Sequence, residues 1–229
     1  MRAVAVVMAV VLGSCSAAAQ RAPDSLAAPA AATARDSHRL WWAASGAALA
    51  VSLAADARMR SVALANQTGS LDRIADAADF LGTARHLVPA LAAGYATARL
   101  AGRRDVSSVI LRVGLAYAAA DVVESALKPL VGRARPNTSG GPLRFHPLTG
   151  RGDFHSFPSA HVVHVTAVAT AAAAEADRPW VTAAGITATV VVGAQRVYRN
   201  QHWTSDVVAS SLLGVAVARK AMDWLRSRD

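Results

Sequence analysis

Six stretches of the chain are apolar at most positions and are bounded by charges, proline or glycine. They cover residues 40–55, 87–100, 106–127, 161–175, 180–194 and 207–218. Each reads as a helix. Alanine dominates the apolar positions, β-branched runs are short, and aromatics make up 5% of the chain. That mixture favours packed helices over sheets. The expected fold is all-α, a bundle of about six helices within residues 38–229. No internal repeat is visible.

The lengths of these stretches bear on whether they cross a membrane. Sixteen helical residues span about 24 Å, and a bilayer core of about 30 Å wants about 20 apolar residues. Most segments fall short or carry charges, such as Arg112, Asp121 and Glu124 in the third. Six apolar segments in 229 residues nevertheless predict a membrane-embedded or membrane-associated bundle. Trp41 and Trp42 open the first segment, as an interfacial pair would.

Two N-terminal segments stand apart. Residues 1–19 read as an export signal: Arg2 leads, Ala3–Leu12 are apolar, and Ala17-Ala18-Ala19 forms a small-residue cleavage site before Gln20. Residues 20–37 mix Ala, Pro and polar residues and read as a linker. Cys15, the single cysteine, excludes an internal disulfide. Its context, Leu12-Gly13-Ser14-Cys15, resembles a bacterial lipoprotein cleavage box and makes Cys15 a candidate for lipidation.

The formal charge of +9 is carried almost wholly by arginine, with Lys128 and Lys220 as the two lysines. A basic balance suits nucleic acid, an anionic membrane or an anionic substrate. No zinc-finger spacing, aromatic-rich ribbon or long basic helix supports nucleic acid. By the positive-inside rule, Arg99, Arg103, Arg104 and Arg178 belong on the cytoplasmic side, as does the tail with Arg219, Lys220, Arg226 and Arg228. Residues 128–161 and 196–206 then face the periplasm or exterior. This topology follows a cleaved leader if segment 40–55 does not cross, which its length allows.

Three clusters in the second half carry chemistry. In the run Arg196–Asp206, a helix starting near His202 would place Asp206 one turn on, on the same face. A carboxylate there can hold one imidazole nitrogen and leave the other as a nucleophile. Alone, this pair is also what an ordinary exposed helix start offers. In Ser156–His161, Ser159 could cap the next helix, whose free N–H groups would meet an anion. His161 could protonate a leaving oxygen. His161 and His164 lack a convincing third ligand, so no metal is expected. The run Lys128–Pro136 offers Lys128, Arg133 and Arg135 at a helix end, where a basic group is also favoured by the dipole. Glu124 stands four residues before Lys128, in position to pair with it. Phosphoryl transfer needs neutralised equatorial oxygens, an in-line nucleophile and a protonated leaving group. Each need has a candidate here.

The pattern resembles the type 2 phosphatidic acid phosphatase and vanadium haloperoxidase superfamily. That signature is Lys, six residues, Arg-Pro; then Pro-Ser-Gly-His; then Ser-Arg, five residues, His, three residues, Asp. Residues 128–136, 158–161 and 196–206 follow it in order and spacing, and the resemblance covers residues 121–218. It implies that Lys128, Arg135 and Arg196 bind phosphate, with Ser159 and the amide of Ala160 completing the cradle. It implies His161 as acid, His202 as nucleophile through a phosphohistidine, and Asp206 as its orienter. Arg133 and Arg199 fall outside the signature. Ala160 stands where the family has Gly, and Gln195 where it has Ser. The expected activity is metal- and cofactor-independent hydrolysis of phosphate monoesters or pyrophosphates on lipid-linked substrates. The alternatives are a vanadium-dependent haloperoxidase, a soluble periplasmic acid phosphatase and an inactive module that binds lipid phosphates.

Overall fold

A computed structural model describes residues 27–138 and 140–228, with side chains from Arg39 onward. The leader, its cleavage site, Cys15 and the start of the expected linker lie outside the described residues. Seven helices are present among them: α1 (Ala27–Ala65), α2 (Gly69–Gly82), α3 (Ala84–Leu100), α4 (Arg104–Val131), α5 (Ala160–Ala176), α6 (Pro179–Tyr198) and α7 (Thr204–Arg226). A short 3₁₀ turn, Gly152–Phe154, interrupts the long α4–α5 connection. No strand occurs among the described residues, apart from one isolated bridge between Arg133 and Phe145. The all-α expectation holds.

The chain divides into two compact units at Ala55/Asp56. The first consists of the larger part of α1. This helix starts at Ala27, so residues 27–37 of the expected linker are helical. Alanine is the strongest helix former and carries the pattern backwards. The second unit holds everything from Asp56.

In that second unit, α4, α5 and α7 share a core of small residues. Ala116, Ala120, Val163, Ala167, Ala171, Ala218 and Met222 are essentially sealed from solvent. Small side chains let the helices approach closely, and dispersion contacts accumulate over the whole seam. α4 stops at Gly132, which is left-handed (φ 58°) and caps Lys128. A side chain there would overlap the carbonyl of His146, so glycine is required on both counts.

The extra helix, α2, is the main departure from expectation. Thr68 caps it, its Oγ1 accepting from the Leu71 amide at 3.4 Å. Only the small residues Ala75, Ala78 and Gly82 are buried, while Ile74 and Phe80 stay exposed. A search for apolar blocks passes over such a segment.

The antiparallel α4–α7 order sets two ends. One end gathers the C-termini of α4 and α6 and the N-termini of α5 and α7. The other carries the Arg99–Arg104 turn, Arg178 and the basic tail. Contacts of Arg112 with Glu175 (2.6 Å) and Arg226 with the Ala174 carbonyl (2.7 Å) tie that end together. Two helices, Arg39–Ala65 and Arg104–Val131, are long and apolar enough to cross a membrane, at mean hydropathies of 1.3 and 1.6. The first is 27 residues rather than sixteen, so length no longer argues against its crossing.

Candidate active site

The turn between α6 and α7 carries His202. Asn200 takes a left-handed φ of 55°, which asparagine tolerates, and brings the chain round within five residues. The buried His202 ring bonds through Nδ1 to the Ser156 carbonyl at 2.5 Å. A carbonyl only accepts, so Nδ1 carries the proton and Nε2 keeps its lone pair. Burial first, then the charges of Arg135, Arg196 and Lys128, hold the imidazole well below its ordinary pKa. A backbone bond from Ser156 opposes this only in part. His202 is therefore a neutral imidazole facing a ring of cations.

Asp206 lies one turn on, as its spacing predicts, but 4.0 Å from Nδ1. Its carboxylate is occupied elsewhere. It accepts from the Arg133 guanidinium (2.6 Å), the Ser156 hydroxyl (2.6 Å) and the Trp203 amide (2.9 Å). Asp206 is thus linked to His202 through Ser156 and the start of α7 rather than by a direct bond. Burial pushes its carboxyl up to about 6, against the pull of Arg133, Ser156 and Trp203. Arg133, left without a role by sequence, is 3% exposed and also binds Asp56 at 2.8 Å and the Ser205 hydroxyl at 2.7 Å. Asp56 closes the network on Ser205, through its amide (2.9 Å) and hydroxyl (2.6 Å). Nothing in the spacing of Asp56 announces this, because its partners stand 77 and 149 residues away.

The three expected phosphate-binding cations converge from separate elements. Lys128, in the last turn of α4, pairs with the buried Glu124, as the four-residue spacing predicts. Arg135, in the loop after α4, donates to the Gly152 carbonyl (3.1 Å) and the Gln201 side chain (2.8 Å). Arg196, in the last turn of α6, pairs with Asp79 of α2. Ser159 occupies the N-cap position of α5 but, contrary to expectation, its side chain caps nothing. Its amide donates to Ser210 at 2.8 Å, while its sealed hydroxyl has no partner. A buried orphan hydroxyl costs about 1–3 kcal/mol unless something arrives to bond it. Ala160 opens the helix without a positive φ, so the departure from Gly imposes no strain.

His161 follows in the first turn of α5. Its ring nitrogens lie 3.4 and 3.5 Å from Arg196 Nη1, and Nε2 lies 3.1 Å from Thr83 Oγ1 and 3.4 Å from Asp79. Burial first, then Arg196, lower its pKa to about 4, while Asp79 pulls the other way. Gly82 makes this approach feasible, since a Cβ there would come within 2.9 Å of the His161 Cβ. Gln195, the second departure, accepts from Arg196 Nε at 2.5 Å and donates to Asp79 at 3.3 Å. Beside Arg196 opens a cleft of about 470 Å³ lined by Asp79, Phe80, Arg85, His86, Arg196 and Gln201, among others. His164 packs away from the cleft, against Tyr117, and pairs with Asp121 at 2.8 Å. The pair considered from sequence, His161 and His164, does not come together as a ligand set among the described residues; a different group, Asp121, Glu124 and His164, offers ligand atoms within 4.8 Å of one another. The ammonium of Lys128 already stands on Glu124.

Comparison with known proteins identifies a family. Residues 109–228 match the PAP2 superfamily. A 65-residue stretch is 35% identical to a lipid A 1-phosphatase of Porphyromonas gingivalis, covering 28% of this chain and 15% of that protein's length. Among solved structures, the chain is similar to the first transmembrane PAP2 type phosphatidylglycerolphosphate phosphatase from Bacillus subtilis. The TM-score is 0.62 at 21% identity, over 77% of this chain and 87% of that one. It is also similar to Aquifex aeolicus LpxE, with a TM-score of 0.58 at 19% identity, over 73% and 94% of the two chains.

Proposed function

The chain belongs to the PAP2 superfamily, and from that premise we propose that it is a phosphatase acting on lipid-linked phosphate monoesters or pyrophosphates without a metal. One observation carries the reading. His202 is buried and neutral, its Nδ1 is engaged by the Ser156 carbonyl, and Lys128, Arg135 and Arg196 all bear on it electrostatically. Such an imidazole is a nucleophile set in an anion cradle. Nε2 attacks phosphorus, the bond to the leaving oxygen breaks, and His161, which takes up a proton once the bound phosphate offsets the charge of Arg196, gives that proton to the leaving oxygen. Water, giving its proton to His161, then cleaves the nitrogen–phosphorus bond and releases phosphate. The orphan hydroxyl of Ser159 and the N–H groups at the start of α5 suit the equatorial oxygens.

A lipid-linked substrate is supported by the relatives, one acting on lipid A and one on phosphatidylglycerolphosphate. It is also supported by large apolar side chains left exposed along α4, among them Leu111, Leu115 and Val122. The site end faces the exterior in this reading, because the basic turns and tail gather at the opposite end. A crossing first helix that ends outside must begin inside, so it and a cleaved leader are alternatives. N-terminal sequencing of the mature protein separates them.

The test is phosphate release by the purified full chain across lipid and soluble phosphates, with and without EDTA. Turnover that survives the chelator supports the reading. No release from any substrate, or release that needs added magnesium or zinc, contradicts it. For topology, Gly141→Cys, in a Cys15→Ser background that still exports, should react with an impermeant maleimide in intact spheroplasts. Labelling only after lysis would put the site in the cytoplasm.

A further inference from the structure

The cradle is compensated from within. Lys128, Arg135, Arg196 and the neighbouring Arg133 supply four positive charges. Glu124, Asp79, Asp56 and Asp206 supply four negative ones, and each pairs with one of these cations. Three of those carboxylates are sealed in: Asp56, Glu124 and Asp206 are at most 2% exposed. Asp79 differs. Its side chain is 38% exposed, and it lines the open cleft beside Arg196. It is the one carboxylate of the four that could move off its cation without leaving a charge buried and alone.

Asp79 also holds more than Arg196. The Thr83 hydroxyl donates to it at 3.0 Å, His161 Nε2 lies 3.4 Å away, and the Gln195 amide donates to it at 3.3 Å. Gln195 reaches both partners of the ion pair at once, accepting from Arg196 Nε and donating to Asp79. A serine, which the family signature has at this position, is too short to span them.

We propose that Asp79 is an internal counter-anion of the phosphate cradle, a positioning residue that holds Arg196 and His161 between turnovers and yields Arg196 to the incoming phosphate, with Gln195 as its latch. The proposal rests on the assignment of Arg196 to phosphate binding. An arriving phosphate competes with a carboxylate already in place and then stands next to that carboxylate. Free phosphate, which has no other contacts, is held weakly and leaves readily. A substrate anchored by its lipid keeps its place through other binding energy. The residue therefore sets discrimination between anchored substrate and free product, and it keeps the acid His161 in register.

The experiment measures orthovanadate and inorganic phosphate as competitive inhibitors of the full chain in detergent, for wild type, Asp79→Asn and Gln195→Ser. Asp79→Asn should bind both anions roughly tenfold more tightly, the size of one partly screened charge interaction. KM and kcat should both fall, because binding improves while release and His161 placement suffer. Gln195→Ser should shift the inhibition constants in the same direction by about half as much on a logarithmic scale. A residue with a purely structural role would raise KM and the inhibition constants instead. Unchanged or weaker anion binding in a folded Asp79→Asn protein overturns the proposal. If that variant does not fold, unchanged or weaker binding by Gln195→Ser overturns it. Calorimetric titration of vanadate separates this from the functional reading. Tightening of vanadate binding in a protein that releases no phosphate would keep the counter-anion and discard the phosphatase.

Discussion

Behind His202 the side chains are sealed. Arg133, Asp56, Ser156, Ser205 and Asp206 are at most 3% exposed, and each bonds to at least one other member of the group. In front of it the site is open. Asp79 and His161 have side chains 38% and 22% exposed and the cleft begins at Arg196, while Ser159, itself sealed, keeps an unpartnered hydroxyl. The first group is a saturated network, which rigidifies what it touches. The second has bonding capacity to spare, as a surface that exchanges anions must. In the proposed mechanism one wall fixes the nucleophile and the other receives and releases phosphate.

The comparison breaks first at Arg133. Replacing it with Met leaves Asp56 and Asp206 buried without their cation, which costs about 3–5 kcal/mol and should lower the unfolding midpoint sharply. Urea or thermal unfolding in detergent measures it, and a midpoint within two or three degrees of wild type, roughly 1 kcal/mol or less, would mean that the rear wall is not what holds the site. His161→Ala makes the opposite cut. It should reduce turnover by about 10²–10³ with little change in stability. Near-normal kcat in that variant would remove His161 as the acid. Ser159→Ala sharpens the contrast more finely. Deleting an orphan hydroxyl should leave stability equal or higher by about 1 kcal/mol, while KM rises several-fold. A clear loss of stability would mean that the hydroxyl is bonded in the resting protein.

Acid gives the smallest effect. His161 is held to about 4 in the folded protein, below its ordinary 6.5. Between those values the unfolded chain binds a proton that the folded one refuses. Its contribution to stability is complete above about 6.5 and is lost as pH falls toward 4. His202, also lowered, acts in the same direction. Asp206, raised to about 6, acts in the opposite one. With His164, which burial lowers as well, three histidines against one carboxyl predict a midpoint that drops between pH 7 and 5. The drop should be shallower in His161→Ala, and an identical slope would contradict the assignment.

The sequence was legible where chemistry is ordered along the chain. Lys128, Arg135, Ser159, His161, Arg196, His202 and Asp206 carry their spacing with them, and all lie at the end where α4 and α6 stop and α5 and α7 start. The second-half helices were legible because their apolar runs are long. What escaped was set by the fold alone. Helix α2 buries only small residues, so its pattern does not announce a buried face. Asp56 and Asp79 stand in the first half of the chain, where no motif frames them, and become meaningful only beside Arg133 and Arg196. The direct partner of His202 is a backbone carbonyl, which no side-chain pattern encodes.

The central claim is that His202 is the nucleophile, and it can be tested on the intermediate itself. Purified protein is mixed with a turned-over phosphate substrate, quenched within milliseconds under alkaline denaturing conditions, and digested for peptide mass spectrometry. The account predicts phosphate on the imidazole of the His202 peptide, absent in His202→Ala, which should also have lost turnover by at least about 10³-fold. Phosphate on a serine, no covalent phosphate during active turnover, or wild-type rates in His202→Ala would contradict it.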